Sequence, residues 1–504
     1  MVYFPRWVFK TVRDADKMRP MFSCDGCLPD SLPAGFFHII MKTPGAFSMN
    51  DCKEVLKSMN LVYGVKDRPK FPQMIIFAFQ QLLAILAATI AVPSIVGHGM
   101  SQSAALFGAG VGTIVYLLFT KFRSPVFLGS SFAFLGSMFA AFGGAASTSV
   151  GYAGLVIGAV LAGLVYVVIA IIVKVAGVQW INKLMPPVVI GPTVAIIGLS
   201  LAGNAISDAL HGAVNEGGAF IMGPAGWVNL CCALVTLLTV IFCSVRGKKM
   251  MKLIPFIIGI LAGYICAMIF TLIGNASGND ALKIIDFSAF SAMKWVPDFT
   301  FIEAFKGFEA VTGQYVATVA VAYVPVAFVV FAEHIADHKN LSTIIGQELL
   351  EEPGLHRTLL GDGIGSMAGA FFGGCPNTTY GESVGCVAIT GNASVITILA
   401  TAILAIVASF FGPFVTFLST IPSCVMGGVC ITLYGFIAVS GLKMLQPVDL
   451  NDNRNLFTAS VILIAGIGGM TLQIGSVTLT EIACALILGI IVNLLFNRPA
   501  AKKN

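Results

Sequence analysis

Residues 376–391 read Pro-Asn-Thr-Thr-Tyr-Gly-Glu-Ser-Val-Gly-Cys-Val-Ala-Ile-Thr-Gly, a partly polar stretch between two long apolar segments. Its proline, its glycines and its paired threonines argue against one continuous helix. At membrane depth, irregular backbone is tolerated only where protein buries it or where it lines a cavity. A carboxylate at that depth costs about 2.5–3.5 kcal/mol on insertion scales, so Glu382 indicates a functional site. We therefore expect the stretch to line a cavity inside a membrane; the alternative is a solvated surface loop.

The composition is that of a polytopic α-helical membrane protein. Of the 504 residues, 57% are hydrophobic and 11% are charged, whereas soluble domains carry about 25% charged residues. The net charge of +5 is small, so we interpret it as an orientation signal and expect no binding to nucleic acid. Cys24 and Cys27 have CxxC spacing, but no second Cys or His pair lies near them. No metal site and no cofactor are therefore expected.

Fourteen apolar segments follow residue 70, each near the ~20 residues that a helix needs to cross the hydrocarbon core. Residues 1–70 contain no such segment and are expected to form a cytoplasmic extension. Met49 is a plausible alternative start, so residues 1–48 are expected to lie outside the working protein. The predicted segments are Met74–Val92, Ser103–Thr120, Ser124–Gly143, Val150–Val173, Pro186–Ile206, Trp227–Val245, Leu253–Gly274, Gln314–Ala336, Leu355–Gly374, the opening stretch to Thr390, Val395–Gly412, Val425–Leu445, Leu456–Leu472 and Glu481–Phe496.

The distribution of Lys and Arg orients these segments. If the N-terminus is inside, the inner loops contain most of the basic residues, and the short outer loops around Gly97, Ala145, Asn215, Pro413 and Gly475 contain none. The long central loop is the exception, and long loops follow the positive-inside rule less strictly. This asymmetry predicts a multi-pass protein of the cell membrane with both termini in the cytoplasm.

Two short stretches resemble each other across the halves of the chain: Phe127-Leu-Gly-Ser-Ser-Phe132 and Thr379-Tyr-Gly-Glu-Ser-Val384. Each lies in the third segment of a seven-segment half, and an odd-numbered repeat gives its two copies opposite membrane orientations. Interrupted segments at matching positions of inverted repeats mark the substrate site of many secondary transporters. Backbone N–H groups freed at such breaks can donate hydrogen bonds to a ligand. Chance similarity between Gly- and Ser-rich sequences is the alternative.

A second acidic cluster closes the eighth segment. Glu333 and Asp337 are four residues apart, so they share one helix face. Glu333 follows a long apolar run and is expected to face the cavity, whereas Asp337, His334 and His338 fit either the cavity or a polar helix end. Two carboxylates without a basic residue nearby suit a cation, a proton or a neutral ligand rich in N–H groups. A buried carboxyl group can also bind and release a proton during transport.

Several motifs together resemble the nucleobase–ascorbate transporter family, especially its bacterial uracil permease branch. They are Ala332-Glu-His-Ile, Pro353-Gly-Leu-His-Arg357, Gly361-Asp-Gly, the opening stretch from Pro376 to Glu382, Gly129-Ser-Ser-Phe-Ala-Phe134 and Pro422–Gly428. The resemblance implies fourteen segments as 7+7 inverted repeats, with short antiparallel strands in segments three and ten. It also implies a core domain (71–174 and 314–412) and a gate domain (178–274 and 413–497). The polar stretch between the halves is expected to be an extracellular linker (275–313). Elevator-type movement of the core, proton symport and a homodimer in the lipid bilayer are further implications.

The resemblance also implies roles for individual residues. Glu333 and Glu382 are expected to bind the N–H and carbonyl groups of a nucleobase, with the backbone of Phe132 and Gly381 completing the site. Proton coupling is expected to involve Glu333, and Asp337 beside it. The remaining residues expected at the site are Tyr380, Ser383, Gln81 and Ser131.

Three positions depart from the uracil branch: Ser383 replaces an Asn, Asp337 replaces a His, and Gly391 replaces an Arg. Glu382 nevertheless favours uracil, so we expect uracil as the substrate, with xanthine or a mixed uracil/xanthine specificity as the alternative. An anion exchanger of the same fold is disfavoured by the two site carboxylates. An enzyme is not expected, because it would need a nucleophile–base pair or a cluster of metal ligands. His334, His338 and Glu333 could imitate such a site, but two histidines on one helix without a third ligand are a weak metal site.

Overall fold

The computed structural model describes residues 61–177, 180, 184–212, 214–215, 219–248, 250–474 and 477–496. The expectations for residues 1–48, for Met49 and for Cys24 and Cys27 lie outside this described part of the chain. Within it the protein is mostly helical, as the apolar segments predict. We number the helices α1 to α18 and the strands β1 to β4 in chain order.

The elements of the first half are α1 (Phe71–Val96), α2 (Gln102–Phe119), β1 (Leu128–Ser130), α3 (Leu135–Gly143), α4 (Thr148–Ala176), α5 (Pro187–Ser200), α6 (Ala202–Leu210), α7 (Pro224–Arg246), α8 (Met250–Leu253) and α9 (Pro255–Ser277). Those of the second half are α10 (Thr300–Gly307), α11 (Gly313–Ile345), α12 (Leu355–Gly373), β2 (Asn377–Thr379), α13 (Gly381–Thr390), α14 (Val395–Ser409), α15 (Gly412–Ser419), α16 (Ser423–Lys443), α17 (Asn453–Ile467), β3 (Leu472–Ile474), β4 (Val477–Leu479) and α18 (Glu481–Phe496). Short 3₁₀ turns occupy Phe132–Phe134, Asp280–Leu282, Phe287–Ala292 and Phe308–Ala310.

Eight helices in the described residues are long and apolar enough to cross a membrane, or nine if the bent pair α14–α15 is one span. The helical parts of segments three, thirteen and fourteen are shorter apolar helices. The tenth segment divides into β2 and the ten-residue helix α13. The protein is therefore a multi-pass membrane protein, and the count of fourteen stays a prediction.

The predicted end of the eighth segment at Ala336 is wrong. Helix α11 continues without a break to Ile345 and spans 33 residues. For His334 and His338 the sequence left open a cavity position or a polar helix end, and the fold buries both against neighbouring helices. Asp337 consequently lies within the helix and not at its end.

The helices pack as two bundles, which we name by their members. The first bundle contains α1–α4 and α10–α14, and the second contains α5–α9 and α16–α18. In the first bundle α12 lies between α2 and α4, and it touches α2 through glycines. A Cβ atom on Gly108 would collide with the backbone of Gly369, so only glycine allows this approach. Small residues at such contacts let transmembrane helices pack closely.

Strands β1 and β2 pair antiparallel at the centre of the first bundle, with Leu128 opposite Thr379 and Ser130 opposite Asn377. Every residue of both strands is buried. The backbone N–H of Ser131 extends the pairing by donating to the carbonyl oxygen of Pro376, at 2.9 Å. The pairing satisfies backbone groups that no helix satisfies here, as the interior of a membrane protein requires. A second hairpin, β3–β4, connects α17 to α18 and has no counterpart in the sequence prediction.

Candidate substrate site

The predicted site residues lie around the two ends of the antiparallel β1–β2 pair. One residue, Tyr380, separates β2 from α13, and one residue, Ser131, separates β1 from the turn that starts at Phe132. Helix α11 packs against β2 and α13, which brings Glu333 and Asp337 to the same region. This part of the molecule is therefore formed by the chain breaks after β1 and β2, by one face of α11 and by α1.

The carboxylates of Glu333 and Glu382 are both partly buried. Glu382 lies in the first turn of α13, where free backbone N–H groups and the helix dipole favour a negative charge. Among the described residues, no Lys or Arg side chain forms an ion pair with either carboxylate. The pair can therefore accept hydrogen bonds from a ligand.

Asp337 differs from the two glutamates because a protein side chain already holds it. The Thr379 hydroxyl donates a 2.8 Å hydrogen bond to Oδ2 of Asp337. Thr379 belongs to β2, so this bond ties α11 to the strand pair. Asp337 is thus fixed one helical turn from Glu333, on the same face of α11.

Ser383 and Gln81 bind each other. The Nε2 of Gln81 donates to Oγ of Ser383 at 2.6 Å, and the backbone N–H of Phe127 donates to the same oxygen at 3.1 Å. Both side chains are buried. The contacts join α1, α13 and the start of β1, so this pair fixes the position of Glu382, the neighbour of Ser383.

Tyr380 also connects the two halves of the site. Its hydroxyl donates to the carbonyl oxygen of Ser130 at 2.7 Å. Its ring lies against Gly129, where a Cβ atom would collide with it. Ser131 is buried, and its hydroxyl has no hydrogen-bond partner among the described residues. An unpaired buried polar group costs about 1–3 kcal/mol, so Ser131 is a candidate to bind a ligand or water.

Phe132 lies at the boundary between the two bundles. Its ring packs edge-on against Tyr434 of α16, with 5.9 Å between the ring centroids. The Tyr434 hydroxyl is buried and has no oxygen or nitrogen partner among the described residues. The sequence prediction missed Tyr434, since an aromatic residue in an apolar segment gives no signal of its own.

The structure also reveals a buried polar network beneath the acidic face of α11. Nδ1 of His334 lies 2.7 Å from Oδ2 of Asp362, and Nε2 lies 2.9 Å from the Thr358 hydroxyl. His338 donates from Nδ1 to the carbonyl oxygen of His334 at 2.8 Å. Its Nε2 lies 2.7 Å from the Tyr116 hydroxyl.

This network shows that both histidines lie in the interior of the first bundle. The two imidazole rings stack with 4.0 Å between their centroids. The hydroxyl of Tyr116 continues the network to Ser124, 2.7 Å away. The sequence signal for Asp362 was a charged residue within an apolar segment, in Gly361-Asp-Gly, but nothing in the sequence paired it with His334. The network binds α11 to α2 and α12, so it makes the acidic face rigid.

Comparisons with known proteins agree with this architecture. Residues 72–475 match a family model named Xan_ur_permease and described as the permease family. The uracil permease of Bacillus caldolyticus is 42% identical over 448 residues, covering 88% of this chain and 96% of the relative. The uracil permease of Escherichia coli strain K12 is 34% identical over 440 residues, covering 86% of this chain and 93% of the relative.

Solved structures with a similar fold include the transmembrane domain of a cyanobacterial bicarbonate transporter, BicA, with a TM-score of 0.58 and 18% identity over 85% of this chain and 99% of that chain. A murine Solute Carrier 26 family member A9 anion transporter gives a TM-score of 0.59 and 12% identity. The match covers 95% of this chain and 74% of that chain. At these identities the likeness shows the fold alone.

Fold and site define a multi-pass transporter rather than an enzyme. The chain belongs to the permease family that the model describes, the nucleobase–ascorbate transporter family. The resemblance seen in the sequence motifs is thereby confirmed.

Proposed function

We propose that the protein imports uracil by proton symport. The observation that carries this proposal is the pair of half-buried carboxylates, Glu333 and Glu382, which have no ion-pair partner among the described residues and lie where two broken segments meet. The relatives named uracil permease support the choice of uracil.

The site has the donors and acceptors that a planar nucleobase needs. Uracil carries N–H groups and carbonyl oxygens on one ring. The carboxylates of Glu333 and Glu382 accept hydrogen bonds from the N–H groups, and charge-assisted bonds of this kind are the stronger ones. Free backbone N–H groups at Gly381 and at the turn beginning with Phe132 donate to the carbonyl oxygens. The rings of Phe132 and Tyr380 offer apolar surface to the base.

Proton coupling is assigned to Glu333, with Asp337 as its neighbour. No described side chain donates a hydrogen bond to the Glu333 carboxylate, whereas Thr379 donates to Asp337. Glu333 is therefore free to take up a proton when the site faces outward and to release it when the site faces inward. Two acidic groups on one helix face repel when both are charged, and a shared proton relieves that repulsion.

The proposed function also assigns roles to the two bundles and an orientation in the membrane. The first bundle serves as the core domain and the second as the gate domain, within fourteen segments arranged as 7+7 inverted repeats. The core moves against the gate in an elevator-type step, both termini lie in the cytoplasm, and the protein functions as a homodimer in the cell membrane. Supporting this arrangement, the first bundle contains both broken segments, and its Phe132 contacts the second bundle at Tyr434.

Anion transport is the competing function on this fold, because the two structural neighbours are described as a bicarbonate transporter and an anion transporter. The carboxylates oppose it, since an anion between Glu333 and Glu382 would meet like charges. Xanthine transport, alone or with uracil, is the other competitor, and Asp337 and Gly391 are the residues that favour it.

The decisive experiment measures uptake of labelled uracil into proteoliposomes under an inward proton gradient, with excess unlabelled xanthine or bicarbonate as competitor. We expect uptake that collapses with a protonophore and resists both competitors. Strong inhibition by xanthine would reassign the specificity, and gradient-independent uptake would refute proton symport. Liposomes without protein provide the baseline.

A further inference from the structure

The second bundle contains a cluster of thiols that the proposed transport cycle does not use. Cys232 lies on α7, Cys266 on α9 and Cys424 in the first turn of α16. The sulfur atoms of Cys232 and Cys266 are 3.9 Å apart. The thiol of Cys424 is close enough to interact electrostatically with Cys232, so it is the competing partner that a test must exclude.

The helix packing brings the backbones of α7 and α9 close together at this point. A Cβ atom on Gly263 would collide with the hydroxyl of Thr236, and one on Gly259 would collide with Val240. Cys232 is one turn before Thr236 and Cys266 is three residues after Gly263, so the thiols extend this close contact. A disulfide requires Cα atoms about 4.4–6.8 Å apart and an S–S bond of about 2.0 Å. Helices that meet through glycine can bring their Cα atoms this close.

The two thiols differ in exposure in a way that suits stepwise oxidation. Cys266 is half-buried, whereas Cys232 is buried. A reagent in the bilayer can therefore reach Cys266 first, and the resolving thiol is already within 4 Å. Of the described residues, no group of three or more His, Cys, Asp or Glu side chains is arranged to hold a metal ion. Redox chemistry consequently fits this cluster better than metal binding.

We propose that Cys232 and Cys266 form a reversible disulfide that links α7 to α9 inside the second bundle. A small disulfide RSSR is the oxidant. The Cys266 thiolate attacks one sulfur of RSSR, forms the mixed disulfide Cys266–S–SR and releases RS⁻. The Cys232 thiolate then attacks the Cys266 sulfur and releases the second RS⁻. Two protein thiols lose two protons and two electrons, and RSSR is reduced to two RSH.

In the orientation proposed above, α7 enters from the outer side at Pro224 and α9 returns there at Ser277. Cys232 is then in the outer half of its helix, and extracellular surroundings are the oxidising ones. Both helices belong to the second bundle, so the bridge leaves the first bundle free to move.

The test treats the purified full-length protein in detergent with a membrane-permeant dipyridyl disulfide, followed by non-reducing digestion and mass spectrometry. We expect a linked peptide pair containing Cys232 and Cys266, which dithiothreitol separates. The oxidised protein should also show a higher thermal unfolding midpoint than the reduced protein, because the bridge restricts the unfolded chain.

Matched variants distinguish this pair from other thiols. Cys232→Ala and Cys266→Ala should each abolish the linked peptide and the thermal shift. Cys424→Ala, and Cys243→Ala on the same helix as Cys232, should keep both. A linked peptide that joins Cys232 to Cys424 instead, or no linked peptide in a correctly folded wild-type protein, would overturn the proposal.

Discussion

At the scale of single residues, Glu333 and Glu382 of the proposed site differ in the neighbouring contacts that hold them in place. Glu382 stands at the start of α13, beside Ser383, which Gln81 and Phe127 hold in place. Glu333 stands in the middle of α11, above a turn that His334 and Asp362 fix. The first position is suited to orient a ligand, and the second to exchange a proton.

Changing Glu333 to Gln should abolish accumulation of uracil driven by the proton gradient. The amide has nearly the same shape but cannot bind and release a proton at physiological pH. The measurement is the ratio of internal to external uracil in proteoliposomes with an imposed gradient. Glu309→Gln, an exposed change outside the site, is the control, and wild-type accumulation in Glu333→Gln would reject the coupling role.

Changing Glu382 to Gln should weaken uracil binding by about 1–3 kcal/mol, or roughly 5- to 150-fold, because a ligand N–H would then face an amide donor. Calorimetric titration of the purified protein with uracil measures this directly. Thermal unfolding of the variant reports whether the fold is intact. An unchanged uracil affinity would remove Glu382 from the binding site.

At the scale of elements, residues 61–67 form a strap that leads into α1 and fastens the end of α13. The N–H of Val62 donates to the carbonyl oxygen of Gly391 at 2.7 Å, and the N–H of Ala393 donates to that of Tyr63 at 2.9 Å. The Ser394 hydroxyl donates to the carbonyl oxygen of Asp67 at 2.6 Å. Helices α1 and α13 are therefore joined at two levels, by the strap and by Gln81 with Ser383.

Deleting residues 1–48 should leave uracil uptake intact, whereas deleting residues 1–67 should reduce it, because the second deletion removes the strap that holds α13. Uptake should be normalised to the amount of folded protein in the membrane. Ser394→Ala, which removes one strap contact, should cost about 1 kcal/mol of stability. Equal uptake by both deletions would mean that the strap does not support the site.

Sequence reasoning predicted the long apolar helices and the break within the tenth segment. Proline and glycine around residues 376–391 have local consequences, so a break there could be predicted from the sequence. The length of α11 could not, since its polar turn is stabilised by Tyr116 and Asp362, which are remote in sequence. Gln81 was expected at the site, but its bond to Ser383 depends on a contact between residues 302 positions apart.

At the scale of the whole molecule, the proposed orientation in the membrane predicts which loops can be labelled from outside. A cysteine placed at Glu309 should react with a membrane-impermeant maleimide in intact cells. One placed at Asn451 should react only after permeabilisation. Both positions are exposed, and the parent protein gives the background from native cysteines. The opposite pattern would reverse the proposed topology.

The strand pair also has a consequence for biosynthesis. Tyr380 and Ser130 are 250 residues apart, yet they contact each other at the centre of the site. During translation, β1 enters the membrane long before its partner strand has been made. Its backbone groups must then rely on temporary partners, such as water, lipid head groups or the insertion machinery. The nascent chain acquires the proposed substrate site only after β2 has been synthesised and has paired with β1.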